Sequence, residues 1–432
     1  MRMNGTISIR EMSFLAFFGM FIFISLNREM GIGGIEFRYL DFALGMICLL
    51  FTIHDILRTR LNKGARTHLD HIILFYMTYY FLIVLAIFNA IFHPSAIDLS
   101  SFSGVAILHL FNLLALVLVV LNREYLRSGS LIGCVCFSGG VLALSQIAVY
   151  FGMDLSALLS DPSTRVMAVD LGQGEHVNLF GQYYRVSGFA EDPNYACLFN
   201  MFTIAAAVLL YKRKKTTSII VIALSLVGIA VAWSRTVVFG SLGCILAVFV
   251  CMALPKLKQD IARLVVMLIS AAALALPFLH IDILQTVTTR YGLWLNAFDL
   301  FCESPIIGSG LTSFRAYNAM QSNGWLVHPH SSYWETISEF GILAFICLIA
   351  IYLCAARIAV HNPVALFVVL VSVLFSVNFD CTYLQFGIVV FAAIPLMMIS
   401  EKPVDCVKGK SLQSVRGELA ESGFHMAIRG VR

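Results

Sequence analysis

Four residues of this chain have types and positions that suit chemistry on a phosphorylated substrate. Arg185, Arg235 and Arg290 each stand near the end of an apolar segment, and His330 shortly precedes another. A guanidinium stays charged and binds phosphate through two parallel hydrogen bonds. An imidazole titrates near neutral pH and can take a proton from an attacking hydroxyl. Together they predict a transfer reaction in which a diphosphate leaves while its developing charge is neutralised.

Further residues around these four can support them. His328 is separated from His330 by one residue, so either imidazole can be the active one. The side chain of Asp192 or Asn194 can cap the following helix, a role that needs no substrate. The supporting candidates are His328, Asp192, Asn194, Tyr333 and Arg315.

Arg235 has two readings. It stands in Ser234-Arg235-Thr236, a hinge between two apolar segments. Burying a guanidinium to the middle of a bilayer costs about 3 kcal/mol, and snorkelling to the interface lowers that cost. Arg235 is therefore either an interface residue or a group that points at an anionic ligand.

The elements that must position these residues are membrane helices. The chain has 432 residues, of which 59% are hydrophobic and only 12% charged, about half the charged share of soluble proteins. The predicted fold class is all-α: a polytopic integral membrane protein with one transmembrane domain over 1–400 and a polar cytoplasmic tail over 401–432. About twelve apolar runs approach the length that spans a bilayer: 13–26, 40–53, 72–92, 102–121, 131–151, 195–211, 218–233, 236–254, 261–279, 337–356, 364–379 and 382–400.

The distribution of basic residues predicts the orientation. With the N-terminus in the cytoplasm, alternating spans put 22 of the 29 Lys and Arg residues inside, as the positive-inside rule requires. The seven basic residues outside are all arginines, which reflects either chance with insertion bias or the binding of an anion. They are Arg28, Arg38, Arg165, Arg185, Arg235, Arg290 and Arg315.

Two long segments, 152–193 and 281–336, fall on the predicted outer face, and long ordered loops usually carry function. In the second, the spacing of Leu293, Trp294 and Ala297 predicts an amphipathic helix over 288–301 that packs on lipid or on neighbouring spans. Tyr333 and Trp334 fit the aromatic belt at a membrane interface.

Cofactor chemistry is not expected from the motifs. His328 and His330 have the acids Glu335 and Glu339 nearby, but the spacing lacks a tight carboxylate cluster for a metal. The glycine-rich nucleotide motifs are missing from the sequence. We expect no metal, no cofactor and no nucleic-acid partner.

At these residues the sequence resembles the O-antigen ligase and polymerase superfamily of bacterial envelope polysaccharide assembly. The resemblance is best over 180–356, where the order of the motifs is more specific than any one of them. In chain order they are Arg185 with Gly188, Phe189, Asp192, Pro193 and Asn194; Ser234-Arg235-Thr236; Arg290 with Trp294; 305–310 with Phe314; His330-Ser331-Ser332-Tyr333; and Glu339-Phe340-Gly341.

The resemblance implies a metal-independent, inverting membrane glycosyltransferase with a fold of the glycosyltransferase C type. Its donor would be an undecaprenyl-diphosphate-linked glycan, and its acceptor a lipid A–core glycan or another lipid-linked repeat unit. Arg185, Arg235 and Arg290 would hold the diphosphate, and His330 would assist the acceptor. The family often has Asn after that histidine where this chain has Ser331, so the choice between His328 and His330 stays open. The implied location is the bacterial inner membrane, with both termini in the cytoplasm.

Two other functions remain open from the sequence. A polymerase differs from a ligase only in its acceptor, and no motif separates them. A secondary transporter or flippase would need polar groups near the middle of the membrane, for which the candidates are His109, Gln146 and Asp41.

Overall fold

The fold is a bundle of helices, known from a computed structural model. The described residues are 9–26, 31–32, 35–59, 78, 81–85, 99–122, 129–153, 167–169, 184–190, 192–278, 285–321 and 329–378. The helices are α1 Ile9–Leu26, α2 Phe37–Thr59, α3 Leu99–Leu121, α4 Gly129–Tyr150, α5 Pro193–Leu210, α6 Lys215–Ala232, α7 Arg235–Ala253, α8 Lys258–Ala275, α9 Gln285–Glu303, α10 Ser313–Gln321, α11 Ser332–Ala359 and α12 Pro363–Asn378, with a 3-10 turn at Leu276–Phe278.

Ten of the twelve predicted spans coincide with helices, namely α1 to α8, α11 and α12. The other two, 72–92 and 382–400, lie mostly or wholly outside the described residues, as does the predicted tail. Within the described ranges, four helices are long and apolar enough to cross a membrane. These are Leu131–Tyr150, Pro193–Leu210, Lys215–Ala232 and Ser332–Ala359; Leu40–His54, Val237–Ala253 and Pro363–Ser376 are shorter apolar helices. The total of twelve spans stays a prediction.

Polar contacts between helix ends show which ends lie together. The Arg10 guanidinium, near the start of α1, donates to the side chain of Asn122 (2.8 Å) and to the carbonyl of Leu121 (2.7 Å) at the end of α3. Lys258 Nζ, at the start of α8, lies 3.4 Å from Nδ1 of His361 between α11 and α12. Both contacts join ends that the predicted alternation puts on the cytoplasmic side.

The opposite ends of the same helices also meet. Trp334, at the start of α11, donates from Nε1 to the carbonyl of Ala273 near the end of α8 (3.2 Å). The ring of Tyr195, at the start of α5, contacts that of Phe375 near the end of α12, with 5.7 Å between centroids. These ends lie away from His361, on the side predicted to be outside.

The segment before α11 contains more structure than the sequence predicts. The helix predicted over 288–301 is present as α9, and its buried face, which includes Leu293, Trp294 and Ala297, packs against α11. The short helix α10 was not predicted. Tyr333 and Trp334 are buried inside the protein, so the expectation that they face the lipid headgroups is wrong; they fill the core between α8 and α11.

Two short antiparallel strand pairs add to the predicted all-α fold. The second pair matters for the site, because it places Arg185 opposite Ala168 in the first long loop. The strands are β1 Gly31–Ile32 with β2 Ile35–Glu36, and β3 Met167–Val169 with β4 Tyr184–Val186.

Helix α11 is broken at Gly341, where φ is 77° and ψ is −179°. The loop 305–310 fills the break: Ile342 N–H donates to the Pro305 carbonyl (2.9 Å), and Gly310 N–H donates to the Glu339 carbonyl (3.0 Å). A backbone group left unpaired in apolar surroundings is costly, so the loop and the break stabilise each other. The motifs at 305–310 and 339–341 therefore have a structural role.

We predict that Gly341→Ala destabilises the protein. A Cβ at this position would overlap the backbone of Ile306 and Gly308, and a positive φ strains any other residue by about 1–3 kcal/mol. Thermal unfolding in detergent should show a Tm several degrees lower. Gly292→Ala in α9 is the control, since its Cβ would meet nothing within 4 Å. An unchanged Tm for Gly341→Ala would contradict this packing.

The predicted orientation can be checked at Cys302, an exposed free thiol in α9. A membrane-impermeant maleimide added to intact spheroplasts should label it, because α9 is predicted to lie outside. Mass spectrometry of the labelled peptide gives the readout, with Cys302→Ser as the control. Labelling only after the membrane is opened would place α9 in the cytoplasm.

Candidate functional site

Arg185 lies where three elements meet: the strand β4, the end of α6 and the start of α5. Its Nε donates to the carbonyl of Ala232 (2.8 Å), and its Nη2 donates to Oδ1 of Asn194 (2.7 Å). The side chain is half-buried, and the residue that follows it, Val186, is fully buried. The guanidinium is therefore held in one orientation by two separate helices.

Asn194 links this arginine to the next helix. Its Oδ1 also accepts a hydrogen bond from the Ser234 hydroxyl (2.7 Å), and Ser234 is the N-cap of α7, accepting from the Val237 N–H at 3.4 Å. Asp192 caps α5 by accepting from the Asn194 N–H at 2.6 Å. Of the two residues predicted as caps, Asp192 has that role, whereas Asn194 bridges helices.

The start of α5 and the start of α7 thus lie side by side. Each helix, of 18 and 19 residues, carries about half a positive charge at its N-terminus. Arg185 lies against this junction, and Arg235 is the first residue of α7. Two helix dipoles and the Arg185 guanidinium at this junction, next to the helix start that carries Arg235, favour the binding of an anion such as a phosphate group.

The turn that carries Arg235 is as tight as the sequence predicts. Only Trp233 and Ser234 separate α6 from α7, and Trp233 takes a left-handed conformation with φ of 35°. The Arg235 side chain is exposed at the helix start. An exposed guanidinium at this end avoids the cost of burial in hydrocarbon and is accessible to a ligand.

His330 is positioned by a tryptophan of α9. The indole Nε1 of Trp294 donates to the carbonyl of Pro329 (2.8 Å), and both residues are buried. His330 itself is half-buried and has φ of 52°, a left-handed conformation that is uncommon outside glycine. Ser331 follows in extended conformation at the N-cap position of α11, where its side chain makes no capping hydrogen bond. The backbone around the imidazole is therefore defined by packing against α9.

Arg290 stands one turn before Trp294 in α9 and is half-buried. Residues four apart lie on the same face of a helix, so Arg290 shares with Trp294 the face that meets the segment of His330. Arg315, in α10, is also half-buried.

A hydrogen bond between two asparagine side chains connects α9 and α10. Asn296 Nδ2 of α9 donates to Oδ1 of Asn318 in α10 (2.8 Å). Nearby, burial raises the pKa of Tyr317, and the carboxylates of Asp299 and Glu303 raise it further. This phenol is therefore neutral at physiological pH.

Tyr333 does not line an open surface. It is fully buried, and its hydroxyl lies 3.2 Å from that of Ser270 in α8. Its contribution to the site is to pack α11 against α8, directly after the segment that carries His330.

The structure thus forms two groups from the predicted site residues, and both lie at the predicted outer end of the bundle. One contains Arg185, Arg235, Asp192 and Asn194; the other contains Arg290 and His330. Their convergence around one ligand stays a prediction, and His328 lies outside the described residues.

Sequence reasoning missed the role of Ser234 and that of Gln146, whose contacts are described below. An amide within an apolar segment was the available signal for Gln146, but it indicated transport as readily as support. Ser234 precedes Arg235 and could have been recognised as a helix cap.

The apolar helices are those of an integral membrane protein. A family model described as O-antigen ligase matches residues 198–349, from α5 into α11. Over these residues the chain is similar to the O-antigen ligase family, which supports the resemblance to the O-antigen ligase and polymerase superfamily seen in its motifs. The matched residues include Arg235, Arg290, Arg315 and His330, whereas Arg185 precedes them. No curated protein and no solved structure matches the chain.

We predict that Arg185→Lys weakens the binding of inorganic pyrophosphate. A lysine keeps the charge but cannot reproduce a planar fork that bonds to Ala232 and Asn194 at once. Loss of one charge-assisted hydrogen bond corresponds to about a tenfold rise in Kd, which calorimetry in detergent can measure. Arg263→Lys, at the end of α8 that is predicted to be cytoplasmic, should bind as the wild type does. Equal affinity of both variants would rule out a need for the guanidinium.

Proposed function

We propose that this protein is a membrane glycosyltransferase that moves a glycan from undecaprenyl diphosphate to an acceptor sugar hydroxyl, with lipid A–core as the acceptor. The reaction takes place on the periplasmic face of the inner membrane. The observation that carries the proposal is the junction of Arg185, Arg235 and two helix starts. The O-antigen ligase match over 198–349 supports the same reaction class.

The donor fits the position of this junction. A polyprenyl chain belongs in the hydrocarbon, and its diphosphate then lies at the level of the helix ends. Arg185, Arg235 and Arg290 bind the diphosphate oxygens, and the starts of α5 and α7 add their dipoles. In this proposal the guanidiniums supply the charge that assists the leaving group, with no metal ion involved.

The transfer is a single displacement. The oxygen of the acceptor hydroxyl attacks the anomeric carbon, its proton passes to the His330 imidazole, and the new glycosidic bond forms with inversion. The bond from the anomeric carbon to the diphosphate oxygen breaks, and its electron pair leaves with undecaprenyl diphosphate. The arginines stabilise this charge as it develops, which is where electrostatic catalysis has its effect.

A polymerase would use the same steps with a lipid-linked repeat unit as acceptor. Deleting the gene separates the two functions. Loss of a ligase leaves bare lipid A–core and accumulated lipid-linked polymer, whereas loss of a polymerase leaves single repeat units on the core. Uptake of a substrate without covalent transfer would instead indicate a transporter.

The test is a transfer assay in proteoliposomes with a lipid-linked glycan and lipid A–core. We expect His330→Ala to lower kcat by about 100-fold or more, the range of general base catalysis. His361→Ala is the matched control, because His361 is an exposed histidine at the opposite end of the bundle. If His330→Ala retains full activity and His328→Ala loses it, the general base is His328. Retained transfer in both variants excludes histidine as the base.

A further inference from the structure

Gln146 is a fully buried amide in α4 that joins three other elements. Its Nε2 donates to the carbonyl of Val186 in β4 (3.1 Å) and to that of Gly228 in α6 (3.2 Å). Its Oε1 accepts from Nδ2 of Asn200 in α5 (2.8 Å). Both amide hydrogens and the oxygen are engaged, so this side chain has one defined orientation.

A glycine in the neighbouring helix α6 leaves room for this amide. A Cβ at Gly228 would lie 2.6 Å from both Oε1 of Gln146 and Nδ2 of Asn200, so glycine at this position leaves room for the network. A buried polar group that loses its partner costs far more than the bond contributes when it is made. The network therefore fixes α4, α5, α6 and β4 relative to one another.

The same part of α4 holds the turn that follows Arg185. Ser145 Oγ accepts from the Phe189 N–H at 3.2 Å. Gly188, with φ of 67°, lies so close that a Cβ there would be 2.9 Å from the backbone nitrogen of Gln146. Gln146 and Ser145 thus form hydrogen bonds to the first and the last residue of the segment 186–189.

Arg185 immediately precedes that segment, so its backbone position depends on α4. The partners of its guanidinium, Ala232 and Asn194, belong to α6 and α5, the same two helices that Gln146 joins through Gly228 and Asn200. One buried amide thus fixes the position of the Arg185 backbone and also the relative position of the two helices that orient the Arg185 side chain.

We propose that Gln146 is a positioning residue for Arg185 and that it thereby sets the affinity of the site for the donor diphosphate. The diphosphate part of this inference rests on the proposed function, whereas the positioning of Arg185 does not. Gln146 lies outside the residues 198–349 that match the ligase family. Its polar side chain lies about one turn before the end of α4, and its contacts assign it a supporting role for the site without a transport role.

The first experiment measures the position of the segment directly. Gln146→Met keeps the length of the side chain but removes its hydrogen bonds. Hydrogen exchange of the peptide spanning 184–190, in the full chain in detergent, should become at least several-fold faster, while peptides from α9 and α11 keep their rates. Asn112→Leu in α3, which also removes a fully buried amide, should leave 184–190 unchanged. Unchanged exchange in Gln146→Met overturns the proposal.

The second experiment asks whether Gln146 acts through Arg185. Gln146→Met should raise the Kd for inorganic pyrophosphate about tenfold, the effect of about one hydrogen bond. In the double variant with Arg185→Ala, the Kd should match that of Arg185→Ala alone, because residues that act as a unit are not additive. In the transfer assay, kcat/KM for the lipid-linked donor should fall by a similar factor, because Arg185 is proposed both to bind the diphosphate and to stabilise it as it leaves.

The outcomes separate the two hypotheses. If the effects of Gln146→Met and Arg185→Ala multiply, Gln146 does not act through Arg185 and the proposal is overturned. If the wild type binds no pyrophosphate and transfers no glycan, the proposed function fails, and the exchange of 184–190 alone decides whether Gln146 positions Arg185.

Discussion

The site depends on one shared acceptor, the side-chain oxygen of Asn194. It receives hydrogen bonds from Arg185 and from Ser234, 2.7 Å each, and so joins the end of the first long loop, the start of α5 and the start of α7. A carboxamide oxygen has two lone pairs and can serve two donors at once. Through it, a guanidinium and the positive ends of two helices are brought to the same place, and that is the physical basis of the proposed anion site.

The irregular parts of the protein follow one rule, that buried backbone must be paired within the protein. At the break in α11, backbone groups of loop 305–310 form hydrogen bonds with the backbone groups near Gly341 that lack a partner within the helix. Before α5, the amide of Gln146 pairs with the carbonyl of Val186. Both arrangements satisfy bent or extended backbone between packed helices, and the second lies directly after Arg185.

The chemistry and the packing are separated along the chain. Arg235, Arg290 and His330 lie within the residues that match the ligase family. Gln146 and Arg185 precede those residues and form hydrogen bonds to the matched helices α5 and α6. The N-terminal half of the bundle therefore does more than anchor the protein in the bilayer. It supplies one arginine of the proposed site and the amide that orients it.

Composition sufficed to predict a helical membrane protein and the positions of most of its helices, because hydrophobic length is a local property of the chain. The direction of the spans, inferred from the placement of basic residues, stays a prediction. The motifs were also enough to indicate the superfamily. Only the tertiary structure decided that Asp192 caps a helix while Asn194 bridges three elements, that Tyr333 is core, and that Gln146 supports Arg185. Those roles depend on contacts between residues tens of positions apart, and a side chain's chemical type does not specify which partner the fold brings to it.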